Sequence, residues 1–421
     1  MTHRLVKVLR DVRDGFWLQP LVLLVVGVLL SLGLTSLDRW LIETARTTRW
    51  LEEASPGGAR ALLGAAAGAL ATTLAISMSM TMVTVQLASS QYTPRLIRRF
   101  LADGFMQRVL GAFLGTIAFL FMVLRSVRSA EEGASFVPMV SLASAVLLTL
   151  VCLALLVVFL HRTMRGMQAS TIVAGIGRET TASILATTGS PGHLVAVPSG
   201  PTAVVRAEAP GYVQILDDAG IRAAVGALGT AICRDTSPGD FVIPGTPLVT
   251  LFGATVVDAQ IENKVRECFT LGSERTAPDD LTFGVRQLVD MALKALSPGI
   301  NDVTTAVMVV NELGVIGRAV ARVHPVRDGW VCSNAKEAPP YLTRELCLER
   351  YLALAFEEVT HAATVQPRVL DRMLEILGTI ASVEPAAEVQ EVLYACEQRI
   401  RRHVKEPAWC PRVPLAADRE T

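Results

Sequence analysis

Four long stretches without a charged side chain constrain this chain more than any other feature of its sequence. All four lie in the first 160 residues, and a helix needs roughly 20 apolar residues to cross a bilayer. The mean hydropathy of +0.43 and the hydrophobic content of 51% are typical of an integral membrane protein. The sequence therefore predicts a transmembrane domain at 1–165 with four spans, at about 16–37, 61–90, 106–125 and 137–160.

The positions of arginine and lysine predict the orientation of these spans. Basic residues cluster before the first span, between the second and third, and after the fourth, and such clusters mark the cytoplasmic side. We therefore expect both termini in the cytoplasm. After the second span, Arg95, Arg98 and Arg99 share one face of a short predicted helix. That pattern favours contact with lipid headgroups, and an ordinary basic loop is the alternative.

The second span is unusually polar for a membrane helix. Between Arg60 and Arg95 it carries no charge, but its hydroxyl and amide side chains fall on two opposed faces of a helix. One face has Thr73, Ser77, Thr81, Thr84 and Gln91, and the other has Thr72, Ser79, Gln86 and Thr93. Lipid cannot satisfy these groups, so they should face protein or water.

Two interpretations of this polarity stay open. The residues Thr73, Ser77, Thr81, Thr84, Gln86 and Gln91 could line a solute path, or they could only hold helices together while the hydroxyls bond to carbonyls of their own helix. The spans are uncharged apart from Arg108 and Arg125 at the two ends of the third, which argues against a proton relay or a voltage sensor.

Two glycine pairs predict close helix packing. Gly64 and Gly68 lie in the second span, and Gly111 and Gly115 lie in the third. Glycines four residues apart expose backbone on one helix face and allow a neighbouring helix to approach closely. We therefore expect the second and third spans to dock together.

The fold class is mainly α, with a cytoplasmic α/β region after the spans. We expect a helical stalk at 166–190, a small β-rich module at 191–256 and a helical domain at 257–421. Strand-like runs such as Thr202–Ala207, Gly211–Leu216 and Ala231–Arg234 are bounded by turns. Gly239–Leu251 looks like the hairpin of small β-barrel and lipoyl-type domains, but it has no lysine at the tip.

A polar site is predicted where two helices of this region begin. Asp279 or Asp280 can cap a helix that runs to about Leu296, and Asn301 or Asp302 can cap the next one. Helix N-termini bind anions, so the following side chains form a candidate site: Glu274, Arg275, Asp279, Asn301 and Asp302. The alternative is reciprocal capping with a structural ion pair.

These same segments resemble a bacterial family of predicted membrane proteins catalogued as domain of unknown function 2254. The similar runs are Met80–Arg95, Gly239–Leu248, Leu271–Thr276 with Asp279-Asp280, and Ala295–Asp302 with Thr304–Ala306. Members typically have proline after the Asn-Asp pair, where this chain has Val303. The resemblance covers nearly the whole chain and implies an inner-membrane protein with a cytoplasmic C-terminal region. It implies no activity and no catalytic residues.

The sequence contains no motif for a known reaction. Glycine-rich phosphate loops, the Gly-x-Ser-x-Gly elbow and His-Glu-x-x-His are absent, and the seven cysteines form no Cys-x-x-Cys pair. Glu358 and His361 have the spacing of half a di-iron motif, but a second copy is lacking, so we interpret His361 as a surface or core histidine. We therefore expect no catalytic residues, metal or cofactor, and no enzymatic activity.

Charge and composition leave membrane lipids and further copies of the chain as the expected partners. The formal net charge of zero gives no support for nucleic-acid binding. We expect a homo-oligomeric channel or transport-like protein with a cytoplasmic sensing or assembly domain. The alternative is a non-conducting scaffold or sensor that binds a partner or small ligand through its cytoplasmic half.

Overall fold

The structure is a computed structural model, and it forms two compact units, Met1–Gln168 and Ala169–Thr421. It describes residues 17–44, 55–91, 104–129, 136–166, 168–186, 193–196, 198–228, 231–254, 256–275, 280–324, 329–332, 340–344 and 346–403, with the backbone alone at 88–91 and 227.

The first unit contains four long helices at the positions of the four predicted spans. They are α1 (Leu18–Thr44), α2 (Pro56–Gln91), α3 (Gly104–Ser126) and α4 (Met139–Gly166). In the described part of the chain five helices are long and apolar enough to cross a membrane, one more than predicted. The fifth, Val303–Val323, belongs to the second unit.

The third span, α3, is the central helix of the first unit. Half of its apolar segment (50%) is buried, against 17% of the corresponding segment in α2. It packs against all three other helices, and Phe113, Phe119 and Leu120 lie in the shared core. The inner face of α2 contributes Leu63 and Leu70 to the same core. Within one copy the enclosed helix is therefore the third span, whereas the two polar faces of the second suggested a helix enclosed between neighbours.

The second unit begins with helix α5 and a β-rich module. The elements of this part are α5 (Ala169–Ala186), β1 (His193–Leu194), β2 (Thr202–Arg206), β3 (Gly211–Leu216), α6 (Asp218–Val225), β4 (Ala231–Arg234), β5 (Phe241–Val242), β6 (Pro247–Phe252), α7 (Ala259–Glu267) and β7 (Phe269–Gly272). The predicted strands at β2, β3 and β4 are confirmed. Val205, Val213 and Ile232 of these strands are buried, and they pack with α6 and α7 into one core.

The rest of the second unit is mainly helical. Its elements are α8 (Phe283–Ala295), α9 (Val303–Val323), β8 (Val331–Cys332), β9 (Tyr341–Thr343), α10 (Leu348–Ala362), α11 (Pro367–Val383) and α12 (Ala387–Arg401). Helix α9 packs against α5, α8, α10 and α11, and 56% of its apolar segment is buried. Protein therefore supplies much of the apolar surroundings of this fifth candidate span.

Strands from distant parts of the chain complete two sheets. One has six strands in the order β1-β8-β9-β4-β6-β2, and the other has three in the order β5-β3-β7. Neighbours pair antiparallel except β4 and β9, which are parallel. The strands β7, β8 and β9 come from the region that the sequence predicted to be helical.

Candidate functional site

The two polar faces of α2 have different surroundings. On the inner face, Thr81 and Thr84 are buried, each only 7% exposed, and Thr73 and Ser77 are half-buried. On the opposite face, Thr72, Ser79 and Gln86 are exposed. The side chain of Gln91 lies outside the described side chains.

Hydroxyl groups on the inner face of α2 are satisfied by their own helix. The hydroxyls of Ser77, Thr81 and Thr84 donate to the carbonyl oxygens of Thr73, Ser77 and Met80 at 2.8, 2.8 and 2.9 Å. These are the i−4 bonds expected for serine and threonine in a membrane helix. The inner face can therefore pack against neighbouring helices without an outside hydrogen-bond partner.

Large apolar residues such as Ile76, Met82 and Val83 are exposed on α2, but a row of small and polar residues lies among them, which we call the outer face. Its members are about two helical turns, seven residues, apart in two interleaved series, and all of them are exposed: Ala61, Ala65, Gly68, Thr72, Ala75, Ser79 and Gln86. The exposed faces of α1 and α4 present large aliphatic side chains such as Val25, Leu29, Leu147 and Leu150 along most of their length. Aliphatic faces suit lipid, whereas small residues with hydroxyls suit contact with another helix.

The glycine pairs do not pack as predicted. A Cβ atom added at Gly111 would lie 2.6 Å from Leu23, and one added at Gly115 would lie 2.5 Å from the Leu23 carbonyl oxygen. This pair therefore packs on α1, not on α2. In the described part of the chain, no atom of a neighbouring element lies within 4 Å of a Cβ added at Gly64 or Gly68. The expected docking of α2 and α3 is confirmed, but the role given to the glycines is wrong, because the contact uses larger side chains such as Leu63 and Phe113.

A buried carboxylate that the sequence analysis missed ties α1 to α4. Asp38 is 2% exposed. It accepts hydrogen bonds from the backbone N–H groups of Val140 and Ser141 at 2.9 and 3.0 Å, and from the Ser141 hydroxyl at 2.6 Å. It thus caps the start of a neighbouring helix. The signal in the sequence was Asp38 itself. It directly follows the first uncharged stretch, and α1 continues past it to Thr44.

Several predicted residues lie outside the described parts of the chain. Arg95, Arg98, Arg99 and Asp279 are in this group, so the lipid-headgroup prediction stays a prediction.

Arg275 forms the first of two polar groups in the second unit. Its guanidinium donates to Asp280 at 2.8 Å and to the Thr282 hydroxyl at 2.7 Å. Asp280 also accepts from the Thr282 backbone N–H at 3.0 Å, and its side chain is 2% exposed. Gly239 has a φ of +92°, and a Cβ there would overlap Asp280. The buried carboxylate is therefore neutralised and tightly enclosed. Glu274 accepts a bond from Gln214 through its backbone carbonyl.

Asn301 and Asp302 form the second polar group. Asp302 caps α9, as predicted, and accepts from the backbone N–H and the hydroxyl of Thr305 at 3.0 and 2.6 Å. These bonds hold the pKa of the Asp302 carboxyl below its usual range. Asn301 has a φ of +49°, and its amide oxygen accepts from Gln366 at 2.7 Å.

The structure does not bring the two groups together. Thr282 precedes the first residue of α8, whereas Asn301 follows its C-terminal end. A helix of that length spans about 20 Å at 1.5 Å per residue. The predicted convergence on one site is therefore wrong. Asp302 caps α9, whereas Asp280 does not cap α8, whose N-cap residue is Thr282 without a side-chain capping hydrogen bond.

A groove between α10 and α12 was not anticipated from the sequence. It has a volume of about 380 Å³, and its apolar wall includes Leu352, Phe356 and Val392. His361 and His403 lie at one end. Glu358 points to a different partner, because it pairs with Arg286, and this ion pair holds the pKa of the Glu358 carboxyl below its usual range. Glu358 and His361 therefore do not form half of a di-iron site.

Comparison with known proteins gives a match over most of the chain. The sequence model of a family described as predicted membrane protein (DUF2254) matches residues 13–379. An uncharacterized protein of Mycobacterium tuberculosis and one of Mycobacterium bovis are each 29% identical over 403 residues, which cover 92% of this chain and 76% of the relative. No solved structure matches the chain.

Proposed function

The chain belongs to the DUF2254 family of predicted membrane proteins, and from this premise we propose that it is a homo-oligomeric channel or transport-like protein. The outer face of α2 forms the contact between copies and borders a polar path. We place the protein in the bacterial inner membrane with both termini in the cytoplasm, in agreement with the distribution of basic residues. The proposal assigns it no catalytic reaction and no nucleic-acid partner.

The observation that carries this proposal is the composition of the outer face. Thr72, Ser79 and Gln86 are exposed on a helix long enough to cross a membrane. Hydrocarbon cannot satisfy the Gln86 amide, and the small residues Ala65, Gly68 and Ala75 of the same face leave room for a close neighbour. Contact with further copies around a wet centre supplies partners for both kinds of group. The expected partners are thus other copies of this chain and the surrounding lipids.

The contact between copies is tested by disulfide cross-linking. In a background with all native cysteines replaced by serine, Ser79→Cys should cross-link two copies in native membranes, because it lies on the outer face of α2. Leu150→Cys on the aliphatic face of α4 is the matched control, and it should form no disulfide between copies. Equal cross-linking of both variants, or of neither, would contradict the proposed contact.

Conduction is tested separately in planar bilayers. Purified protein should pass potassium ions or chloride under an ion gradient or membrane tension. Replacing Ser79 and Gln86 together by leucine should reduce the current at least severalfold, since it removes the exposed polar groups of α2. If the wild-type protein gives no current under any gradient or tension, the proposal that it is a channel is wrong.

A second function, a non-conducting scaffold or sensor, is favoured by the satisfied hydroxyls on the inner face of α2. Ser77, Thr81 and Thr84 need no water, and the groove in the second unit is large enough for a small ligand. Cross-linking at Ser79 without any current would select this function over the channel.

A further inference from the structure

Two histidines meet at one end of the groove between α10 and α12. His361 lies in the last turn of α10, and His403 directly follows the end of α12. Their ring centroids are 4.9 Å apart, and the ring planes are inclined at 62°. We propose that the two imidazoles bind a divalent transition-metal ion of the Zn²⁺, Ni²⁺ or Cu²⁺ class. This site is independent of the function proposed for α2.

In both rings the hydrogen bond among the described residues uses Nδ1, and Nε2 is the nitrogen left for a metal ion. His361 Nδ1 lies 2.8 Å from the Glu357 carbonyl oxygen, and His403 Nδ1 lies 3.0 Å from the Arg399 carbonyl oxygen. A carbonyl oxygen only accepts, so each Nδ1 carries the proton, and each neutral ring keeps a lone pair on Nε2. Metal-binding histidines usually donate their other N–H to such a carbonyl, which fixes the tautomer and the ring orientation.

The spacing of the rings fits a single bound ion. A zinc–nitrogen bond is about 2.0–2.1 Å, and with tetrahedral angles the centroids of two bound imidazoles lie about 5 Å apart. The observed separation of 4.9 Å agrees with that distance. The ring separation is therefore compatible with both imidazoles sharing one ion.

The electrostatic surroundings favour a cation. Both histidines lie at helix C-termini, where the exposed carbonyl groups carry partial negative charge. Three carboxylates line the groove, Glu349, Glu357 and Glu391, against two guanidinium groups, Arg399 and Arg402. Glu357 is one turn before His361, on the same face of α10. Its carboxylate is the protein group best placed to approach a bound ion.

The remaining ligands come from outside the pair. Within the described residues no three His, Cys, Asp or Glu side chains are assembled for a metal. Burial raises the pKa of the nearby Cys396 thiol to about 12, which favours nitrogen over thiolate ligation. None of the described residues closes the groove, so water can supply the other ligands. Such an open site exchanges its metal and can accept a ligand that enters the groove.

Calorimetric titration of the chelator-treated, full-length protein with Zn²⁺ tests the site. We expect one equivalent to bind to the wild type, and His361→Ala and His403→Ala each to weaken binding at least about tenfold. His161→Ala is the matched control, since it removes an exposed histidine outside the groove, and it should bind like the wild type. Thermal unfolding of each variant establishes that it is folded.

Two further readouts keep the test independent of folding. Co²⁺ bound by the wild type should give the strong visible absorption of a tetrahedral site, and this band should be lost in His361→Ala. Binding should also weaken as the pH falls through the range in which imidazole is protonated, because the proton competes for Nε2. No stoichiometric Zn²⁺ binding by the wild type, or equal affinity in all three variants, would overturn the proposal.

Discussion

Two glycine pairs with the same spacing lie on neighbouring membrane helices and have opposite surroundings. Gly111 and Gly115 on α3 are in close contact with the backbone of α1, where Gly27 faces them. Gly64 and Gly68 on α2 have open space beside them. The difference shows that glycine spacing identifies a backbone that can be approached, but not the helix that approaches it. Among the described residues no neighbour fills the space beside the second pair, and the proposed function assigns that space to a contact between copies.

Adding one methyl group to each pair tests this comparison with the largest expected effect. Gly115→Ala places a Cβ 2.5 Å from the Leu23 carbonyl oxygen, and backbone cannot move aside as a side chain can. We expect it to reduce the free energy of unfolding of the detergent-solubilised monomer by about 1–3 kcal/mol. Gly68→Ala is the matched control and should be neutral or slightly stabilising, because alanine favours a helix.

The two substitutions should differ in their effect on the stability of the monomer. If both substitutions lower the stability of the monomer equally, the space beside Gly68 is filled within one copy, and the outer face of α2 is not open.

The Asp38 cap is the second contact that holds α1, and its removal should lower the free energy of unfolding less than Gly115→Ala does. Asp38 holds the far end of α1 by capping α4, so α1 is secured by a glycine contact and by a carboxylate. Asp38→Ala should cost about 1–2 kcal/mol of unfolding free energy, as the loss of a helix cap does. Glu43→Ala is the control, since Glu43 is exposed on the same helix. Chemical denaturation of both variants in detergent measures the difference. An Asp38→Ala protein as stable as the Glu43→Ala protein would show that the cap contributes nothing.

Local patterns in the sequence predicted the elements but not their partners. The four spans and the Asp302 cap follow from uncharged runs and from capping chemistry, which are local signals. The central place of α3 could not be predicted, because Phe113 and Phe119 are as suitable for lipid as for protein. The strands β8 and β9 contain two and three residues, too few for an alternating pattern, and they form only because distant strands pair with them.

The candidate polar site failed for a related reason. Arg275 and Asn301 both stand near helix starts, but the length of α8 separates them, and a one-dimensional pattern does not measure that distance. The groove with His361 and His403 was equally hidden, because α11 separates the two histidines in sequence. Their contact depends on α10 and α12 packing side by side.

The smallest expected effect belongs to the inner face of α2, where Thr81→Val separates the two interpretations of the polar span. The Thr81 hydroxyl donates to the Ser77 carbonyl oxygen at 2.8 Å, and that oxygen keeps its backbone partner when the hydroxyl is removed. Valine has the same shape, so the unfolding free energy should change by less than about 0.5 kcal/mol, and the bilayer current should be unchanged. A loss of current in Thr81→Val, with stability intact, would instead mean that water reaches the inner face, and the solute path would then run between α2 and its neighbours within one copy.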